Sequence, residues 1–223
     1  MRRPILEILK FKDVFYVDNK KIVLENISLS IDCGDFISII GSSGSGKSTF
    51  LKLCNNLISP SNGNITYKDK NILDYNPMKL RQEISYCFQT PYLFGDKVID
   101  NISFPYFIRD KKLNIAEIRS LFNLFKIDND FLQKHVKKLS GGEKQRISLI
   151  RSIIFKPEVL LLDEITSALD TNNCEIVEAI VKQLNENGIT ILWVTHNLEQ
   201  SRKYANKILT IENGKLKYFE VIR

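Results

Sequence analysis

The sequence predicts an α/β protein: a mostly parallel sheet core, antiparallel strands on its N-terminal side and an inserted helical segment. Three observations carry this. An apolar run, Phe36 to Ile40, passes through Gly41-Ser42-Ser43-Gly44-Ser45-Gly46-Lys47-Ser48 into a helix-like stretch, Thr49 to Leu57. Strand signals at Val159 to Leu162, Ile189 to Val194 and Lys207 to Ile211 alternate with a helix at Asn172 to Asn187, the βαβ rhythm of parallel sheets. From Thr90 to Phe155 the strand signal fades and apolar residues recur at helical spacing.

Taken in order, Ile5 to Val14 reads as a strand, followed by Leu24 to Ile31, where Ile27, Leu29 and Ile31 alternate with Asn26, Ser28 and Ser30. Period two of this kind belongs to a half-buried sheet. Asp32-Cys33-Gly34-Asp35 turns the chain into the buried strand Phe36 to Ile40, and Pro60-Ser61-Asn62-Gly63 turns it into Asn64 to Tyr67. A short strand, Ile84 to Phe88, ends at Gln89. The helical spacing of Ile115, Ile118, Leu121, Phe122 and Phe125 marks the insert. Ser140 opens a helix through Lys144, Arg146, Ile147 and Ile150, and Gly188 stops the helix that begins at Asn172. The expected division is therefore a core of residues 1–89 and 157–223 and a helical part of residues 90–156. No internal repeat or low-complexity tract interrupts it.

The composition is that of an ordinary globular chain, with 223 residues, 43% hydrophobic and 26% charged. No apolar run approaches the roughly 18 residues of a membrane span. Met1-Arg2-Arg3-Pro4 leads into a segment broken by Glu7 and Lys10, unlike a secretory leader, so a cytosolic protein is expected. The net charge of +6 would suit nucleic acid or an anionic membrane, but the lysines are scattered without a basic block. Cys33, Cys54, Cys87 and Cys174 form no C-x-x-C pair, and free thiols without a metal cluster are expected. His135 reads as a solvated side chain.

The chemistry concentrates in three stretches. Gly41 to Ser48 meets the template G-x-x-x-x-G-K-[ST]: glycines let backbone N–H groups close on an anion, Lys47 reaches phosphates and Ser48 offers a hydroxyl to Mg²⁺. A flexible Ser/Gly linker would not place a Lys-Ser pair at a helix start, where the dipole favours the same anion. Val159 to Glu164 is an apolar strand ending in two acids, and ligands of open α/β sheets bind at that end. Asp163 fits a Mg²⁺ ligand and Glu164 a base for the attacking water; as a lone pair they would read as caps of a following helix. Ser140 and Glu143 make a capping box, which leaves Gly141 and Gly142 unexplained, since glycine costs roughly 1 kcal/mol relative to alanine in a helix. Two helix starts suited to phosphate but one Lys-bearing loop imply that the second serves a partner's nucleotide.

The segments GSSGSGKST, Gln89, LSGGEKQR, VLLLDE, SALD and WVTH occur in the order of an ABC-transporter nucleotide-binding subunit, which the chain resembles over nearly its whole length. The resemblance implies a P-loop NTPase fold of the ABC-ATPase type that hydrolyses ATP with Mg²⁺. Residue by residue, Gly41, Ser42, Ser43, Gly44, Ser45, Gly46, Lys47, Ser48 and Thr49 match the Walker A motif, Asp163 the Walker B magnesium residue and Glu164 the catalytic base. Gln89 resembles the Q-loop residue that senses Mg²⁺ and the membrane subunit. Ser140, Gly141, Gly142 and Glu143 resemble the signature, Asp170 the D-loop acid and His196 the switch histidine. Read without the family, His196 would pass for a capping or core histidine.

Two positions depart from the family pattern. Glu143 stands where many relatives carry Gln, which leaves the capping box intact. The aromatic that stacks on adenine falls on Asp18 in one alignment, and Tyr16, two residues earlier on the same strand face, is the alternative.

The resemblance further implies a homodimer closed head to tail around two ATP molecules, coupled to an integral membrane permease at the cytoplasmic face of a bacterial cell membrane, with no nucleic acid partner. Ser85 to Asp96, Asp100-Asn101-Ile102, Phe104-Pro105 and Ile108-Arg109, with LSGGEKQRISLIR, are similar to the ATP-binding subunits of bacterial iron exporters. The rivals are transport of another small solute, such as phosphate or an amino acid, a soluble ABC ATPase acting on nucleic acid, and a P-loop kinase. The nucleic-acid enzymes usually carry two cassettes or a coiled-coil insertion, and a kinase would not need Ser140 to Glu143. Tyr92, Leu93, Phe94, Phe104, Tyr106 and Phe107 form a candidate seat for an apolar helix of the membrane subunit.

Overall fold

A computed structural model describes residues 6–222. The expected strand start at Ile5, and Met1-Arg2-Arg3-Pro4, lie outside the described residues. The chain opens with a hairpin, β1 (Glu7–Asp18) and β2 (Lys21–Asp32), turned by Asn19 and Lys20 in the left-handed region at φ 47° and 66°. β1 runs four residues past the expected end at Val14. The reason is a bulge: Asp13 sits at φ 49°, the register shifts between Phe11 and Val14, and the period-two pattern is broken there although pairing continues.

β3 (Phe36–Ile40) leads to α1 (Lys47–Cys54); β4 (Asn62–Tyr67), β5 (Lys70–Asn71) and α2 (Pro77–Glu83) precede β6 (Ile84–Cys87). The chain is then helical through α3 (Val98–Phe107), α4 (Ile115–Leu124) and α5 (Gly141–Ile153). It returns to β7 (Val159–Asp163), α6 (Thr171–Glu186), β8 (Thr190–Val194), α7 (Leu198–Tyr204), β9 (Lys207–Glu212) and β10 (Lys215–Val221). No helix among the described residues is long and apolar enough to cross a membrane.

Two sheets result. An antiparallel sheet has the order β2-β1-β4-β5, and a six-stranded sheet the order β10-β9-β3-β8-β7-β6, parallel except for the edge strand β10. The parallel strands are covered on both faces, which explains why β7 and β8 read as unbroken apolar runs. Alternation still sorts their side chains. Leu160, Leu162, Ile191 and Trp193 join Ile147, Ile150 and Val177 of α5 and α6 in one core. Val159, Leu161, Leu192 and Val194 join Phe50 and Leu51 of α1 and Leu9, Leu24 and Ile27 of the antiparallel sheet in the other. Because β3 and β7 are parallel and point the same way, the loop after β3 and the acids after β7 emerge at one edge.

The candidate docking cluster divides. Tyr106 is buried, and Leu93 packs on the same core, so these two are structural. Phe94 packs edge-on against Phe104 with ring centroids 5.2 Å apart, while Tyr92, Phe104 and Phe107 are exposed.

Candidate active site

Gly41 follows β3 at φ 146°, and a Cβ there would lie 2.0 Å from the Ile211 carbonyl, so only glycine lets the chain leave the sheet this way. Gly46, at φ 105°, ends the loop and precedes α1; a Cβ there would lie 2.7 Å from Leu24 Cδ2. Ser42, Ser43 and Gly44 are exposed, and the Ser45 hydroxyl is buried without a hydrogen-bond partner. Thr49 is half-buried in the first turn of α1. Lys47 folds back over the loop and donates from Nζ to the carbonyls of Gly41 at 3.0 Å and Ser42 at 2.8 Å. Burial lowers its ammonium pKa, partly opposed by the charges of Glu164 and Asp163.

Those two acids stand beside the start of α1. Ser48 Oγ donates to Asp163 Oδ1 at 2.9 Å, and the Tyr86 hydroxyl donates to Asp163 Oδ2 at 2.6 Å. Glu164 adopts φ 48°, a left-handed conformation that a residue other than glycine holds only when its surroundings fix it. Its N–H donates to the Val194 carbonyl at 3.1 Å, and its own carbonyl accepts from Ser167 N at 3.0 Å and Ser167 Oγ at 2.8 Å. The turn aims the carboxylate between two polar side chains. Gln89 Nε2 donates to Oε2 at 2.8 Å, and His196 Nε2 lies 2.7 Å from Oε1. A carboxylate oriented at both oxygens at the edge of a phosphate loop can accept a proton from water.

Ser140, Gly141, Gly142, Glu143 and Asp170 assemble elsewhere on the chain. Ser140 Oγ accepts from Glu143 N at 3.2 Å, and Glu143 Oε2 accepts from Ser140 N at 2.7 Å, closing the expected capping box. Lys134 Nζ adds a 3.0 Å bond to Glu143 Oε1. Burial pushes the Glu143 carboxyl pKa up, but the Ser140 and Lys134 bonds outweigh it and the net shift is downward. Open space surrounds the Cβ position of Gly141, and that of Gly142 would lie 3.3 Å from Asn173 Nδ2. Asn173 also binds Asp170, which caps α6: N donates to Oδ1 at 2.9 Å and Nδ2 to Oδ2 at 2.6 Å. Asn173 thus lies beside Gly142 of α5 while it hydrogen-bonds Asp170 at the start of α6.

Tyr16 is half-buried in β1 opposite Leu24, the residue against which Gly46 packs, so it stands one strand from the loop. Asp18 is exposed at the hairpin end and accepts from Asn19 Nδ2 at 3.2 Å. His135 is exposed. Two features escape the sequence reading. Tyr86 is one; the other is Gln200, buried in α7, which accepts from Thr195 Oγ1, the residue before His196, and donates to Thr166 Oγ1 at 3.2 Å and Glu178 Oε1 at 2.9 Å.

A family model described as ABC transporter matches residues 24–167. Among curated proteins the chain is 43% identical over 206 residues to the "Probable iron export ATP-binding protein FetA" of Escherichia coli, covering 92% of this chain and 91% of that one. It is also 34% identical to a methionine import ATP-binding protein, MetN, of Clostridium tetani, covering 97% of this chain and 70% of the relative. An arginine transport ATP-binding protein, ArtM, of Bacillus subtilis is 37% identical, with 86% and 82% covered. Among solved structures, an ATP-binding cassette in a dimeric post-hydrolysis state bound to ADP and Pi superposes with a TM-score of 0.86, at 28% identity, covering 97% of this chain and 99% of that one. The chain belongs to the ABC transporter family, as one of its ATP-binding, ATP-hydrolysing subunits.

Proposed function

We propose that this subunit powers the export of iron through a separate membrane permease, as a homodimer at the cytoplasmic face of a bacterial cell membrane. The observation that carries the cargo is the 43% identity to the FetA relative over nine-tenths of both chains, against 34% and 37% for the methionine and arginine transport relatives. The similarity extends through residues 85–109, the stretch that runs from β6 past α3 and presents Tyr92, Phe104 and Phe107 to solvent. In this reading residues 1–89 and 157–223 form the ATP-binding core and residues 90–156 the helical part. An apolar helix of the permease sits in the groove bordered by Leu57, Phe88, Phe104 and Arg109, which of the expected aromatic cluster takes in Phe104 alone.

Each residue has a defined task. Lys47 exchanges its carbonyl partners at Gly41 and Ser42 for nucleotide phosphates, and the loop's N–H groups and the start of α1 receive the same anion. Ser48 and Asp163 fit a hard divalent cation: they are two oxygen donors already 2.9 Å apart, and Asp163 is only 6% exposed. Mg²⁺ held there supplies charge neutralisation for phosphoryl transfer. Glu164 takes the proton of the attacking water while Gln89 and His196 keep its carboxylate aimed. Tyr16 stacks on the base. Ser140, Gly141, Gly142 and Glu143, with Asp170, face the nucleotide of the second copy, which accounts for a glycine-bearing helix start with no lysine loop of its own.

The cargo is tested by deleting the gene and measuring cell-associated iron under iron loading. Higher iron and lower peroxide tolerance are expected; unchanged values of both, in a strain with no second exporter, overturn iron export.

A further inference from the structure

The tasks above leave unused the hydrogen bond from the Tyr86 hydroxyl to Asp163 Oδ2 at 2.6 Å. Its geometry follows from the sheet. β6 and β7 are parallel, with Tyr86 paired to Leu161, so Asp163 is the diagonal neighbour two residues further along on the same face. A diagonal of this kind is too long for a short side chain but within reach of an aromatic one. The ring has little freedom, since it packs on Phe88 with centroids 4.6 Å apart and its strand is hydrogen-bonded to β7. Asp163 is consequently held at both oxygens, by Ser48 at Oδ1 and by Tyr86 at Oδ2.

We propose that Tyr86 is a positioning residue for the divalent cation: its hydroxyl fixes Asp163 by Oδ2 and so keeps Oδ1 turned to Ser48, the two residues that would hold the cation. Partners that hydrogen-bond a ligating carboxylate set both its orientation and its affinity for the metal. The position of the ring adds a consequence. Tyr86 also lines the groove that contains Phe88, Phe104 and Arg109, so one side chain reaches from that surface to the metal acid.

The inference rests on Asp163 as the magnesium residue, and the test separates the two claims. Mn²⁺, as a spectroscopic substitute for Mg²⁺, is titrated by electron paramagnetic resonance into protein saturated with a non-hydrolysable ATP analogue. Tyr86→Phe, Tyr86→Leu and Asp163→Asn are compared with the unaltered chain, and analogue binding in EDTA is measured alongside. Tyr86→Phe is expected to weaken Mn²⁺ binding by roughly tenfold with analogue binding in EDTA unchanged, and Tyr86→Leu to do no worse. Wild-type Mn²⁺ affinity in Tyr86→Phe, weakening confined to Tyr86→Leu, or an equal loss of analogue binding in EDTA overturns the role of the hydroxyl. Unchanged Mn²⁺ affinity in Asp163→Asn overturns the assignment of Asp163 itself.

Discussion

Glu164 is the residue whose placement decides the most chemistry. Gln in its place keeps the shape and can still meet Gln89 and His196, but it cannot take a proton. Glu164→Gln is therefore expected to bind ATP normally while hydrolysis falls by about 10²- to 10⁴-fold, the usual worth of a positioned base. Nucleotide-binding titrations and phosphate release check the two halves separately, and turnover equal to that of the unaltered chain removes Glu164 from the role. At this scale legibility depends on distance along the chain. Lys47 and Ser48 are readable because the loop and α1 are contiguous and the template fixes their spacing. Tyr86 is not, because its bond to Asp163 depends on the register of β6 against β7, which no local pattern encodes.

Among the elements, α5 carries two separable functions at its first turn. The capping box satisfies backbone N–H groups, so Ser140→Ala is expected to lower stability by about 1 kcal/mol in denaturant unfolding. The turn's open glycine face is a different matter. Ser140→Arg should leave ATP binding to the single chain intact and prevent the ATP-dependent dimer; light scattering of this variant combined with Glu164→Gln decides it, and a dimer contradicts the contact.

The same turn has a pH signature. The folded pKa of Glu143 is lowered, so its contribution to stability is present above the ordinary carboxylate value near 4.3 and is lost as pH falls through the folded value. Glu143→Gln should flatten the acid limb of the stability profile, measured by thermal unfolding; an unchanged limb contradicts the net shift.

The capping box of α5, the buried strands β3, β7 and β8 and the stop of α6 at Gly188 were all legible, because each rests on local residue chemistry. The far end of β1 was hidden by the bulge at Asp13, against which Gly63 packs with its Cβ position 2.1 Å from the Asp13 carbonyl. α2 and α7 have only seven residues each, too few for a helical period to show, although Asn76-Pro77 is a readable helix start. β10 is a mostly exposed edge strand without a buried alternation.

For the molecule as a whole, the parallel sheet brings the loop after β3 and the acids after β7 to one edge, while the starts of α5 and α6 form a second surface. In the proposed dimer those two surfaces close on the same nucleotide. The fold class is legible in the sequence because alternation of strand and helix determines layer order. The cargo is not, since the ATP-binding subunit of a transporter need not touch what the transporter carries, and only similarity bears on it. The most direct measurement is transport itself, in inside-out membrane vesicles containing the permease and this subunit. ATP is predicted to drive accumulation of radiolabelled ferrous iron in the lumen with the unaltered chain and not with Glu164→Gln. ATP-driven loss of preloaded methionine or arginine from the lumen without iron accumulation, or iron accumulation that persists with Glu164→Gln, would contradict it.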